Sequence, residues 1–222
     1  VLRLDAFRSP RFALLNALNI VVSSASFTPL LFTPFFLTRY AGFDAATGGL
    51  ALASGAVGTT IAAAIAGRVL KTMSSQSVAA LGAAKAAVGL ILIGQVDGAS
   101  SLAEVIATLA LAGIGLGVFQ TAYLDGVTAG LPESERGVAG GLAMATRTIG
   151  VVAAASMLTL LFGETESSAL AAGIGPEQAF SQAYALAFAI AATAAAAGES
   201  KQDGSRTAQE EEEEQHRRHL AL

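Results

Sequence analysis

Asn16, Asn19, Ser23, Ser26 and Thr33 stand out among the polar side chains of a largely apolar, uncharged run from Phe12 to Thr38. Their spacings of three, four, three and seven keep them in one stripe of a helix with about 3.6 residues per turn, with Leu, Val, Ile and Phe opposite. The chemistry open to them is hydrogen bonding. They either bond between packed helices or form the wall of a hydrophilic path, because a polar stripe within lipid must face protein or water. A second pair, Gln120 and Tyr123, stands three apart near the end of another apolar run.

Three charges are embedded as well. Asp125 and Arg147 form a latch near one membrane face if the arginine reaches back toward it, or else make separate contacts with the interface and with backbone carbonyls. Lys85 falls near the middle of its run, where a lysine costs about 2.5–3.5 kcal/mol to insert. It needs an acid from outside these runs, an aqueous cavity, or a stem that carries its ammonium to the interface. Catalytic sets are missing: His216 and His219 both lie in the polar tail, and there is no cysteine. Gly113-x-Gly115-x-Gly117 has the look of a phosphate loop, but no strand precedes it and the surroundings are apolar. Neither metal ligands nor a cofactor nor a nucleic-acid surface is implied, and an enzyme is not expected.

The elements that must hold these groups are six apolar runs, with approximate spans 12–38, 45–67, 77–96, 103–126, 136–162 and 178–198. Each is long enough to cross about 30 Å of hydrocarbon as a helix rising about 1.5 Å per residue. With 53% hydrophobic and 14% charged residues, against about 25% charged in soluble domains, the lipid bilayer is the expected solvent. A span there must satisfy its own backbone hydrogen bonds, so the fold class is an all-α membrane protein with six transmembrane helices in one bundle. Residues 1–11 form a polar lead-in. A polar loop is expected over Glu164–Pro176. Residues 199–222 form a polar tail, read as mobile, which holds the acidic run Glu210–Glu214. The final run is mostly alanine, and needs packing to stay inserted.

Ten of the thirteen basic residues, Arg3, Arg8, Arg11, Arg68, Lys71, Arg136, Lys201, Arg206, Arg217 and Arg218, fall on one side of this zigzag, and only Arg39 on the other. The positive-inside rule then places the chain in the cytoplasmic (inner) membrane with both termini cytoplasmic. The pairs Gly113/Gly117 and Gly137/Gly141 have the spacing that lets helix backbones approach closely, either as plain packing or as gliding surfaces. Val1 begins within a polar segment, and the chain is expected to be a piece of a longer protein.

The segment Gly113–Gly150, GIGLGVFQTAYLDGVTAGLPESERGVAGGLAMATRTIG, resembles a late helix pair of major facilitator superfamily transporters, especially the fourteen-span drug:proton antiporter branch. The likeness lies in the glycine-rich helix, Val118-Phe119-Gln120, the Leu131-Pro132-x-x-x-Arg136-Gly137 loop, Ala139-Gly140-Gly141-Leu142 and the embedded Arg147. Arg3–Phe12 resembles the linker entering the carboxyl-terminal bundle. The cytoplasmic loop after the second run departs from the family pattern: Gly67 is kept, but Lys71, Thr72, Ser74 and Gln76 replace its Asp, Arg, Gly and basic positions. Tyr123-Leu124-Asp125 stands where that branch often has an asparagine pair. The resemblance implies the second half of a secondary transporter, in which the first and fourth helices line a central cavity. It implies a small-molecule substrate, export with proton coupling, and as partner either an amino-terminal half of six or eight helices or a second copy. The alternative is a truncated, non-transporting membrane scaffold.

Overall fold

The computed structural model describes residues 10–129 and 133–196. Residues 1–9, 130–132 and 197–222, which include the start of the expected Leu131–Arg136 loop and the polar tail, lie outside them. Among the described residues there are six helices long and apolar enough to span a membrane. They are α1 (Pro10–Arg39), α2 (Ala45–Val69), α3 (Ser75–Gly94), α4 (Leu102–Thr128), α5 (Glu133–Ala171) and α6 (Pro176–Ala196). The protein is an all-α, multi-pass membrane protein.

Local chemistry sets the helix starts. Asp44 caps α2 by accepting from the Thr47 amide at 2.8 Å and its hydroxyl at 3.1 Å. Ser74 caps α3 through the Ser77 amide at 3.2 Å. Ser101 and Glu104 form a reciprocal capping box at α4, with the Ser101 amide 2.8 Å from Glu104 Oε2. Two ends are closed by glycines in the left-handed region. At Gly42 (φ 70°) the following Phe43 amide turns back onto the Leu37 carbonyl. Gly173 (φ 83°) ends α5 in a Schellman turn, the Ile174 amide bonding to Ala169 and the Gly173 amide to Leu170.

That second turn corrects the expected loop over Glu164–Pro176. Glu164 to Ala171 continue α5, and only residues 172–175 connect it to α6. Polarity signals the end of the membrane and says nothing about the end of a helix. This segment holds no glycine or proline before Gly173, so its backbone stays helical. At 39 residues, α5 extends about 58 Å and projects past a hydrocarbon core of about 30 Å.

α4 is the central element, touching α1, α2, α3 and α5. Its glycines make that possible. A Cβ at Gly113 would strike the Gly55 backbone of α2, one at Gly117 the Thr59 backbone, and one at Gly115 the Ala86 backbone of α3. Gly82 and Gly89 of α3 return the approach against Phe119 and Ala112. The Gly113/Gly117 spacing therefore serves close backbone packing. Gly137 and Gly141 do not: an added Cβ at either meets nothing within 4 Å.

α6 is held by aromatic packing that compensates for its many alanines. Tyr184 stacks on Phe36 at 5.0 Å and touches Phe188 at 4.6 Å, while Phe180 stacks on Tyr40 at 4.1 Å and meets Phe162 of α5 edge-on at 5.1 Å. Burial raises the Tyr40 phenol above its ordinary pKa, the Glu166 carboxylate adds to the shift, and Arg39 opposes it.

Candidate functional site

The α1 stripe divides into two parts. Its first part is a buried polar network. Asn16 Oδ1 accepts from the Tyr123 hydroxyl of α4 at 3.0 Å and from the Thr146 hydroxyl of α5 at 3.1 Å. Asn19 Nδ2 donates to the Ala143 carbonyl of α5 at 3.1 Å, and Ser23 donates to Asn19 Oδ1 at 3.2 Å. Asn16, Asn19 and Ser23 are nearly inaccessible. At the opposite end of α1, buried Thr33 shares a 3.3 Å hydrogen bond with the Tyr184 hydroxyl of α6. These residues join helices through donors and acceptors that lipid cannot supply.

The second part opens into a cavity of about 260 Å³ between α1, α2, α3, α4 and α5. Ser23, Ser26, Phe27, Thr59 and Arg147 are on its wall. The Ser26 hydroxyl is buried without a hydrogen-bond partner. Thr59, by contrast, donates to Gly55 and Gly113 carbonyls, both at 2.9 Å, and so ties α2 to α4. Pro29, also on the wall, lacks an N–H and leaves the Ala25 carbonyl without its helical donor. Gln120 follows the lining residue Leu116 by one turn on the same face of α4, and its Nε2 is buried without a partner.

The structure does not bring the embedded charges together. Asp125 accepts from the Ser75 hydroxyl at the start of α3 at 2.5 Å. Arg147 is partly buried on the cavity wall, not paired with Asp125. The latch is therefore not formed in this conformation: Asp125 closes the α3–α4 end, while Arg147 serves the interior. Lys85 is exposed on the α3 face that carries Leu81, Val88 and Leu92, which is the outer surface of the bundle. It meets no acid there, and its long stem can carry the ammonium toward an interface. Among the described residues no group of three or more His, Cys, Asp or Glu could hold a metal.

The sequence profile of the Major Facilitator Superfamily matches residues 2–155. The chain belongs to this superfamily. It is also 26% identical over 179 residues to "Uncharacterized transporter YebQ" of Escherichia coli (strain K12), covering 78% of this chain and 39% of that protein. The chain thus spans well under half the length of the curated relative it matches.

Within this major facilitator bundle, three contributors escape a reading by sequence. Thr59 and Thr146 each lie near a second threonine, Thr60 and Thr148, in small-residue runs, and Tyr184 is a single phenol in an alanine-rich helix. A threonine beside glycines on a spanning helix is a weak signal of a carbonyl it can reach across the helix gap. Tyr184 needs a donor or acceptor once it is buried, and that signal was available.

Proposed function

We propose that this chain is the carboxyl-terminal bundle of a secondary transporter that exports small amphipathic molecules by alternating access, coupled to proton entry as in fourteen-span drug:proton antiporters. The observation that carries the reading is the cavity between five apolar helices, mostly nonpolar but holding unpartnered polar groups. Such a wall accepts a molecule with one polar end and an apolar body. Only 22% of the apolar window of α2 and 11% of that of α5 are buried, against 50% for α3 and for α6. The outward faces of α2 and α5 are thus free for an amino-terminal bundle or a second copy, across which a pathway would run. The proton carrier is Asp125 or an acid of that partner bundle. The arginine and lysine distribution supports a cytoplasmic side of the inner membrane for both ends of this chain.

The complete transporter, reconstituted in vesicles, tests this. An imposed pH gradient should drive uptake of an amphipathic dye into inside-out vesicles, and collapsing the gradient should stop it. Dye movement that ignores the gradient removes proton coupling. No movement of any of a broad set of amphiphiles removes the transport reading.

A further inference from the structure

The cavity contains a cation with no acid opposite it. None of its described lining residues is Asp or Glu, yet Arg147 lies on its wall. Arginine cannot shed its proton, so the charge persists at depth. Arg136, the preceding cation on α5, lies eleven residues or about 16 Å away, so Arg147 stands well inside the spanning part of the helix. A charge at that depth requires a counter-charge or a polar cavity. The nearest acid on α4, Asp125, is bonded to Ser75 instead.

Two features point to what fills the gap. Ser26 brings to the same cavity a buried hydroxyl with no partner, an O–H free to donate. The other wall hydroxyls on α1 and α2 are already donating, Ser23 to Asn19 and Thr59 to carbonyls. The free chemistry is therefore donor chemistry, a guanidinium fork and one hydroxyl, set among Phe27, Leu52, Leu90 and Leu109.

We infer that this cavity binds the anionic end of a small amphipathic molecule, a carboxylate, with Arg147 as counter-ion and Ser26 as an additional donor. The apolar body lies against Phe27, Leu52, Leu90 and Leu109. At about 260 Å³ the cavity is just below the usual range of ligand sites, about 300–1,000 Å³, and suits only a small molecule. The inference deepens the transport reading by naming the substrate class, but the binding itself rests on the cavity.

The test uses the complete protein in nanodiscs of neutral lipid and three matched probes: 1-naphthoate, 1-naphthamide and 1-naphthylmethylammonium. The acid should bind about tenfold or more tighter than the amide and the amine, since a charge-assisted hydrogen bond is worth at least that ratio. Arg147→Gln should bring the acid down to the amide, Arg147→Lys should keep part of the preference, and Ser26→Ala should weaken the acid a few-fold. Equal binding of acid and amide to the unaltered protein overturns the inference without any variant having to fold. So does an acid preference that survives Arg147→Gln. Failure of the acid in neutral discs, with phosphatidylglycerol retained by the protein in a parallel set of discs containing it, assigns the site to a lipid headgroup and also overturns the inference. A protein that binds the acid but moves nothing across vesicles keeps the site and loses the transport reading.

Discussion

Gly113→Ala separates packing from propensity at the α2–α4 seam. The new Cβ would fall on the oxygen, carbon and Cα of Gly55. These are backbone atoms, so no rotamer can move them aside, and the two helices must part. Overpacking of this kind costs about 1–3 kcal/mol. Replacing glycine by alanine within a helix returns about 0.5–1 kcal/mol. Gly163→Ala of α5 is the matched control, because an added Cβ there meets nothing within 4 Å and only the propensity gain remains. Propensity is common to both variants and cancels in the comparison. Gly113→Ala should therefore be less stable than Gly163→Ala by about 1–3 kcal/mol. Parting the helices also stretches the 2.9 Å bond from Thr59 to the Gly113 carbonyl, so the cost should reach the upper part of that range. Reversible unfolding in mixed micelles, followed by far-UV circular dichroism, measures both. Equal stabilities, or a more stable Gly113→Ala, would refute a glycine-mediated seam.

Gln120→Leu removes a buried amide nitrogen without a partner, a group whose desolvation costs about 1–3 kcal/mol. Membrane abundance should hold or rise while transport by the complete protein falls; unchanged transport per molecule would take Gln120 out of the pathway. Asp44 has a pKa below the ordinary 3.8, chiefly because the Thr47 amide donates to its carboxylate. A depressed carboxylate stabilises the fold above its unfolded value, so the α2 cap should be intact at neutral pH and lost only as pH falls through the lowered value. Amide exchange at Thr47 and Gly48 should speed up there, and should show no such pH step in Asp44→Asn. The chain has no cysteine, so single cysteines report sidedness. Gly175→Cys should react with an impermeant maleimide from outside intact cells and Met73→Cys only after permeabilisation; the reverse order would overturn the orientation.

The spans were legible because the period, length and charge of lipid-facing helices are strongly constrained. Six helices long and apolar enough to span a membrane are found among the described residues. One of them, α5, overruns because Glu164-Thr-Glu-Ser-Ser is polar without holding a helix breaker, and Gly173 is the first residue that ends the helix. The α1 stripe was legible as a stripe, but not its division. Offsets place Asn16 and Ser26 on one face of one helix, while the choice between a partner and a cavity depends on which side chains α5 turns toward each: Thr146 and the Ala143 carbonyl toward the asparagines, Arg147 toward the cavity. The Asp125–Arg147 latch failed for the same reason. Depth along two helices can be counted from sequence, but facing direction cannot. Gly113/Gly117 and Gly137/Gly141 share a spacing, yet only the first pair has a neighbour within reach.

Two bonding systems meet on α4, and together they determine how this bundle can move. On one side, glycines press α4 against α2 and α3 at backbone distance, with Thr59 hydrogen-bonded across the seam. On the other, Tyr123 joins Asn16 of α1, and α1 is bonded through Asn16 and Asn19 to α5. Sliding any of these helices past another by one turn would drive side chains into backbone or leave buried polar groups unpaired in lipid, where no water can replace the lost bond. The bundle is therefore stiff along both seams. The sparsely buried faces are those of α2 and α5, and on α5 Gly137, Gly140 and Gly141 have no neighbour within 4 Å of an added Cβ. Rigid-body movement of one bundle against another is the motion the transport proposal calls for, and stiff seams are the property it needs.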